Sequence, residues 1–555
     1  TGNLSVDGGT IKLDGNYPVG NYNVALGDTA LDNGSFSGAN NVAVGNASMS
    51  ATTSGNFNAS VGAFSLKLNT TGSSNTAFGS GSLENNTTGS SNVGLGTSAL
   101  VSNTTASNNT AVGYQAGYAN TTGQHNTFLG RYAGHENTTA SDNIAVGSVA
   151  LYYNTTGTSN VAIGRQALNN NTTASANTAV GYQALTTNTT GGDNAAFGYQ
   201  AAQSNTTGDY LTAIGRQALY NNTTADNNTA VGYQSLYANT TGSALTAVGT
   251  AALDANTTGI DNTAVGVSSL GGNTTGNYNV AVGRTALLNN TTASNNTAVG
   301  YQAGYTNTTG VENTANGVQA LYSNTTGGYS TAVGYRALFY NTTASHNTAV
   351  GYQAGYSNQT AAGNVFVGEN AGYYNTNQNN TFLGAGAGYF VTSGQKNSIL
   401  GRHNGNQHGL DIRTSSNNIV LSDGDGNPRL VCNSSAVFTI KGIYDNTSGD
   451  GTNVTINAAG VIRRSTSSRR YKNTIVDAAH GLTELMSLRP VTYKHNQNGD
   501  TIYGGLIAEE VHDAGLTEFV QYNNDGEADA LSYGNMVSLC IKAIQEQQAT
   551  ITALT

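Results

Sequence analysis

A glycine stands at every seventeenth residue from Gly45 to Gly368, twenty in register, with Gly27 before them and Gly384 and Gly401 after, out of phase. A second column keeps the same time. Asparagine sits seven residues past the anchor at all 19 positions from Asn69 to Asn375, usually opening NTTG or NTTA. A disordered low-complexity chain keeps no such clock over 300 residues. A fixed short period is the mark of a solenoid, in which each unit buries its apolar residues only by stacking on its neighbours.

The unit reads close to NTAVGYQALYNNTTGSN. Its apolar residues form two short clusters, AVG and AL, separated by Asn, Thr and Gly turn residues. Such clusters are too short for ordinary helices, and the β-branched content favours strands. Each unit is therefore expected to be one coil of a parallel β-roll, with two short strands joined by tight turns. The glycines supply positive φ or close backbone approach, and the asparagines stack as an amide ladder. At about 4.8 Å per coil, 22 intervals give a rod on the order of 100 Å long.

Before the anchor, position −1 is Val, Ile, Leu or Phe and position −2 is usually Ala. Neighbours on a strand point to opposite faces, so both faces are apolar. One fills the interior. The other needs a partner, and a column of alanines suits close approach to an identical rod, which points to a homotrimer. Beyond the anchor, Tyr or Arg forms an outward column that includes Tyr114, Tyr182, Tyr233, Tyr301 and Tyr352. Such a stripe is suited to sugars, or serves to cover the coil edges with mutually supporting rings. The NxAVGxxAL unit resembles the head repeats of trimeric autotransporter adhesins of the YadA type. The resemblance implies a left-handed parallel β-roll in a tight trimer over residues 20–405.

Composition excludes several classes. Charged residues are 9% of the chain and the net charge is −10, which gives no footprint for nucleic acid. Cys432 and Cys540 make neither a disulfide framework nor a metal cluster. No apolar run is long enough to span a membrane, and no metal or cofactor motif is present. GAGAGY at Gly384–Tyr389 falls where the repeats place glycine anyway. The chain begins at Thr1 rather than Met, which is expected of a fragment or processed product. Residues 1–19 are assigned to an N-terminal β segment and 406–466 to a β-rich neck. There, DGDGNP lacks calcium-loop spacing and reads as a hairpin turn.

Positive charge gathers in one place, RRSTSSRRYK at Arg463–Lys472. Ser467 and Lys472 have the ingredients of a Ser–Lys dyad. A serine is a poor nucleophile until a base takes its proton, and a lysine can do so only when neutral. Arg469 and Arg470, with partial burial, would lower the lysine pKa toward that state. Further on, Val537, Ile541, Ile544, Gln548 and Ile551 are spaced 4, 3, 4, 3, a heptad seam.

The string SSRRYKNTI…LRPVTYKH…GGLIAEEV…LSYGNMVSLCIKAIQEQQATI is similar to the C-terminal intramolecular chaperone domain of phage endosialidases, tailspikes and tail fibres. Over residues 467–555 the resemblance implies an α-rich trimeric cap that aids folding of the β-fibre before it. It further implies self-cleavage between Ser467 and Ser468, with Ser467 as nucleophile and Lys472 as base, and an assisting His480 or an exposed helix-start one.

The fold class expected is mainly β: a trimeric solenoid, a β neck and an α+β cap with coiled coil. The function expected is that of a virion tail fibre or extracellular surface filament. Its partners would be a host cell-surface glycan or other receptor, and a virion baseplate or upstream fibre segment. The rivals are a polysaccharide-degrading tailspike, which needs an acid pair, and a bacterial trimeric surface adhesin.

Overall fold

Each 17-residue unit makes one coil, and the coils stack in register. The computed structural model describes residues 22–440, 454–456, 462–464, 474–494, 500–523 and 525–555. The predicted segment 1–19 lies outside them. Two units are distinguished, before and after residue 445.

In the first unit, 23 three-residue strands, β1 (Val24–Leu26) through β23 (Ser398–Leu400), follow one another along the described chain. Each pairs in parallel with the strand one coil away, so that Thr110 faces Thr127, Ala111 faces Phe128 and Val112 faces Leu129. Outside the strands the backbone ladder continues: Leu100 N–H donates to Ala116 O at 3.0 Å and Thr104 N–H to Thr121 O at 3.1 Å. The long parallel β-solenoid of 17-residue coils is thus present.

Two expectations are corrected. A coil contains one strand rather than two, because the AL cluster is a turn. Leu100 in that cluster is fully buried yet has φ +52°, a left-handed conformation that no strand accommodates. The strand faces are also reversed. Ala111 and its equivalents are buried inside the coil. The Val, Ile, Leu or Phe at −1 points outward, Phe78 being 57% and Leu129 45% exposed. The narrow interior admits a methyl group beside the stacked leucines, which leaves the larger residue outside.

The anchor glycine is dictated by both conformation and space. Gly113 has φ +135°, and a Cβ there would lie 2.6 Å from Gly130 O on the next coil. Every coil closes so tightly on its neighbour at this point that only glycine fits.

The parallel stack runs one coil further. β26 (Ile419–Ser422) pairs with β23 at a spacing of 21 residues, the excess forming a small hairpin of β24 (Asn406–Gln407) and β25 (Leu410–Asp411). The sheet then turns antiparallel through β27 (Pro428–Cys432) and β28 (Phe438–Ile440). DGDGNP is the hairpin turn between β26 and β27. The Asp423 carboxylate accepts from the Asn427 side-chain amide at 3.0 Å, pairs with Arg429 at 2.7 Å and accepts the Asn427 and Asp425 backbone N–H groups, so its pKa is held well below the usual carboxylate range.

In the second unit β29 (Val454–Ile456) pairs antiparallel with β30 (Ile462–Arg464). Beyond it lie α1 (Leu482–Ser487), a hairpin of β31 (Val491–Lys494) and β32 (Ile502–Gly505), and α2 (Ala508–Asp513). A second hairpin, β33 (Val520–Tyr522) and β34 (Ala528–Leu531), leads into α3 (Tyr533–Leu554). Val511, Leu516, Phe519, Met536 and Leu539 form its core. The Glu546 carboxylate on α3 accepts the Leu482 N–H at 2.7 Å and so holds the start of α1.

Candidate functional site: the outward columns of the solenoid

Two asparagine columns, not one, hold the coils from within. In the predicted column, Asn120 Nδ2 donates to Asn103 Oδ1 at 2.9 Å and to Gly123 O at 3.0 Å. The side-chain chain is unbroken from Asn69 to Asn358. The second column stands four residues before each anchor. Asn126 N–H donates to Asn109 Oδ1 at 2.9 Å, and its Nδ2 donates to Ala140 O at 2.9 Å. Its signal was in the consensus as the first N of NTAVG. Asn103 and Asn120, which open NTT triplets, are fully buried, so the ladder rather than glycan attachment accounts for these triplets.

On the outside, the predicted tyrosines share one column directly after the anchor. Tyr182 stacks on Tyr199 with ring centroids 5.3 Å apart, and Tyr335 on Tyr352 likewise at 5.3 Å. Arg165 lies 5.9 Å from the Tyr182 ring, and Arg216 lies between the rings of Tyr199 and Tyr233 at 5.5 and 5.9 Å. Tyr114 meets Tyr132 edge-on at 5.4 Å. Tyr301 is 43% exposed. Beside this column the glutamine amides run in parallel, Gln183 to Gln166 and Gln200 to Gln183, both at 3.0 Å.

A second aromatic column stands four residues further on. Tyr305, Tyr322, Phe339, Tyr356, Tyr373 and Tyr389 stack as six rings 4.8–5.3 Å apart. Burial raises the pKa of Tyr356, Tyr373 and Tyr389 above the ordinary phenol value. Stacking along the stack axis uses the ring faces, so most of these tyrosines offer only edges and hydroxyls to a ligand. Along the column the rings support one another.

The carboxylates of the coils are used structurally where they stack. Asp209 accepts the Gly192 N–H at 2.6 Å, and Asp226 accepts the Asp209 N–H at 2.8 Å. This is backbone capping in the place that serine takes on other coils, as Ser141 does for Gln124.

An apolar column runs along the outside at position −1. Of the 23 strands, all but the one ending in Asn316 present Val, Ile, Leu or Phe there. In the second unit, the 22-residue α3 turns Met536, Leu539 and Ala543 inward. The predicted seam is on the other side, with Val537, Ile541, Ile544 and Ile551 48–63% exposed. A groove of about 420 Å³ beside it is lined by Leu485, Leu488, Pro490, Leu506, Val537 and Cys540.

Ser467, Ser468, Arg469, Arg470 and Lys472 lie outside the described residues. His480 precedes α1, with Nδ1 3.7 Å from Glu518 Oε1. No described helix is long and apolar enough to cross a membrane. In comparisons with protein families, with curated proteins and with solved structures, the chain finds no match.

Proposed function

We propose that the chain is a homotrimeric adhesive fibre of the phage tail-fibre kind, whose C-terminal unit directs assembly and then cuts itself off. The observation that carries the reading is the exposed apolar column at −1. An apolar stripe of this extent, interrupted only at Asn316, marks an interaction surface. It repeats with the coil, so a surface with the same repeat matches it along its whole length, and another copy of the chain has that repeat. The apolar seam of α3 supports the same conclusion at the other end of the chain, as one strand of a coiled coil.

Three solenoids aligned in parallel face a register problem, since identical coils pair equally well when slipped by 17 residues. A C-terminal trimerisation device fixes the register before the long non-local pairing begins. Removing it afterwards leaves the fibre kinetically trapped. The roles of Ser467 as nucleophile, Lys472 as base and Ser467–Ser468 as the severed bond rest on the sequence resemblance. Receptor binding on a host cell surface, and attachment to a virion or an upstream fibre segment, belong to the same reading.

Sedimentation of the purified chain, paired with intact-mass spectrometry, tests both parts. Three copies per particle and a released fragment of 88 residues (555 − 467), abolished by Ser467→Ala, are expected. A monomeric particle overturns the fibre. An uncut wild-type trimer overturns the dyad.

A further inference from the structure

The six-ring stack ends at Tyr389, on the last coil before the hairpin inserts. Tyr373 covers one face of that ring at 5.1 Å, and among the described residues no ring of the following coil stacks on it. Phe390 stands edge-on to Tyr389 at 4.8 Å and is 43% exposed. The next coil supplies amides and charges instead. The result is a cleft of about 440 Å³ lined by Tyr389, Phe390, Arg402, Asn404, Gln407 and Asp425.

The polar groups of this cleft have capacity to spare. Asn404 Oδ1 accepts the Asn406 N–H at 2.9 Å, which leaves both Nδ2 hydrogens for a ligand. Gln407 Nε2 reaches the Arg402 carbonyl at 3.4 Å, which leaves Oε1 as an acceptor. Neither the Arg402 guanidinium nor the Asp425 carboxylate has an ion-pair or side-chain hydrogen-bond partner among the described residues, whereas Arg413 and Arg429 nearby are both paired. Gln407 is packed against Gly426, where a Cβ would collide with its amide.

We propose that this cleft binds an uncharged pyranose of a glycan. The inference rests on the adhesive reading above and names its ligand class. An anion placed here meets Asp425 and a cation meets Arg402. A polyol satisfies both, because each hydroxyl donates to the carboxylate and accepts from the guanidinium. A pyranose also carries an apolar C–H face that packs on an aromatic ring, and Tyr389 and Phe390 furnish that wall. Apolar walls with a few convergent polar groups are the usual make-up of small-ligand sites.

The full-length chain is passed over an array of immobilised oligosaccharides built from neutral, amino and acidic pyranoses. Binding to neutral members is expected, weakened at least tenfold by Phe390→Ala and by Asp425→Asn and unchanged by Tyr210→Ala, an exposed ring elsewhere on the solenoid. Arg402→Gln, with unfolding followed in parallel, separates loss of contacts from loss of fold. Retained binding in the cleft variants overturns the proposal. A trimer that binds no member also overturns it while leaving the fibre reading intact, and a monomer that binds through the cleft does the reverse.

Discussion

A Cβ added to Gly117 would lie 2.7 Å from the ring of Phe128, so these two positions on neighbouring coils are chosen together. Wherever phenylalanine replaces the inward alanine, at Phe128, Phe366 and Phe382, glycine replaces the buried leucine beside it. The volume of one ring is exchanged for that of leucine side chains, at constant packing.

Gly304 breaks the rule. No phenylalanine accompanies it, and a small apolar void lined by Leu287, Gly304, Ala315 and Leu321 results. Its φ of +60° is close to that of Leu287 at +49°, so a leucine there adopts the conformation its neighbours already hold. A Cβ there would lie 2.9 Å from Leu287 Cδ2, the movable end of a side chain, which must turn aside. With that shift Gly304→Leu is expected to stabilise the coil by at most about 1 kcal/mol, the burial gain less the left-handed backbone cost. Gly117→Leu is expected to destabilise. Denaturant-induced unfolding of the two variants checks the opposite signs.

The two asparagine columns differ in tolerance. The column of Asn120 has no exception over 19 coils, whereas the other accepts Leu211 and Leu245. Asn120→Leu leaves Asn103 Oδ1 buried without a donor and removes the acceptor of Asn137 Nδ2. A loss of about 2–5 kcal/mol is expected. Asn126→Leu repeats what the chain already does at Leu211 and should cost less than half as much. Amide exchange of the flanking coils reports each effect locally, since contacts reach only to neighbours.

His403 should make the end of the solenoid sensitive to acid. It is fully buried, and its Nδ1 accepts the Gly405 N–H at 3.1 Å. Burial lowers its pKa below the ordinary 6.5. The unfolded chain therefore takes up a proton as pH falls through 6.5 while the folded chain does not. Stability is complete above that value and declines below it. Protection of the Gly405 amide is expected to fall as pH drops from 7 toward 5, and His403→Gln to flatten the profile.

Charge on the outer face of α3 should separate assembly from local folding. Ile541 and Ile544 are more than half exposed while Leu539 on the opposite side is buried. Ile541→Asp with Ile544→Asp is expected to leave the helical circular-dichroism signal intact and to abolish the oligomer in sedimentation. Loss of the helix itself would show that the seam serves the unit's own core.

The period, the glycine column and one asparagine column were legible because each repeats at one position and each has a single physical use. The orientation of the strand was not. Ala111 and Val112 are both apolar, and alternation alone does not say which side the narrow interior takes. The missing second strand traces to Leu100, whose β-compatible side chain conceals a left-handed backbone. The cleft at Arg402 is not legible in the repeat because it arises where the period fails, from residues spread over 37 positions (Tyr389 to Asp425 inclusive). The serine and lysine of the basic insert are a matter of sequence alone.

In-register pairing of near-identical coils also makes length a free variable. Removing one whole unit rejoins surfaces equivalent to those that were parted, and duplicating one adds a step of about 4.8 Å. The chain tolerates even a 16-residue coil, between Val365 and Thr381. Recombination between such units would change how far the molecule reaches without redesigning either end.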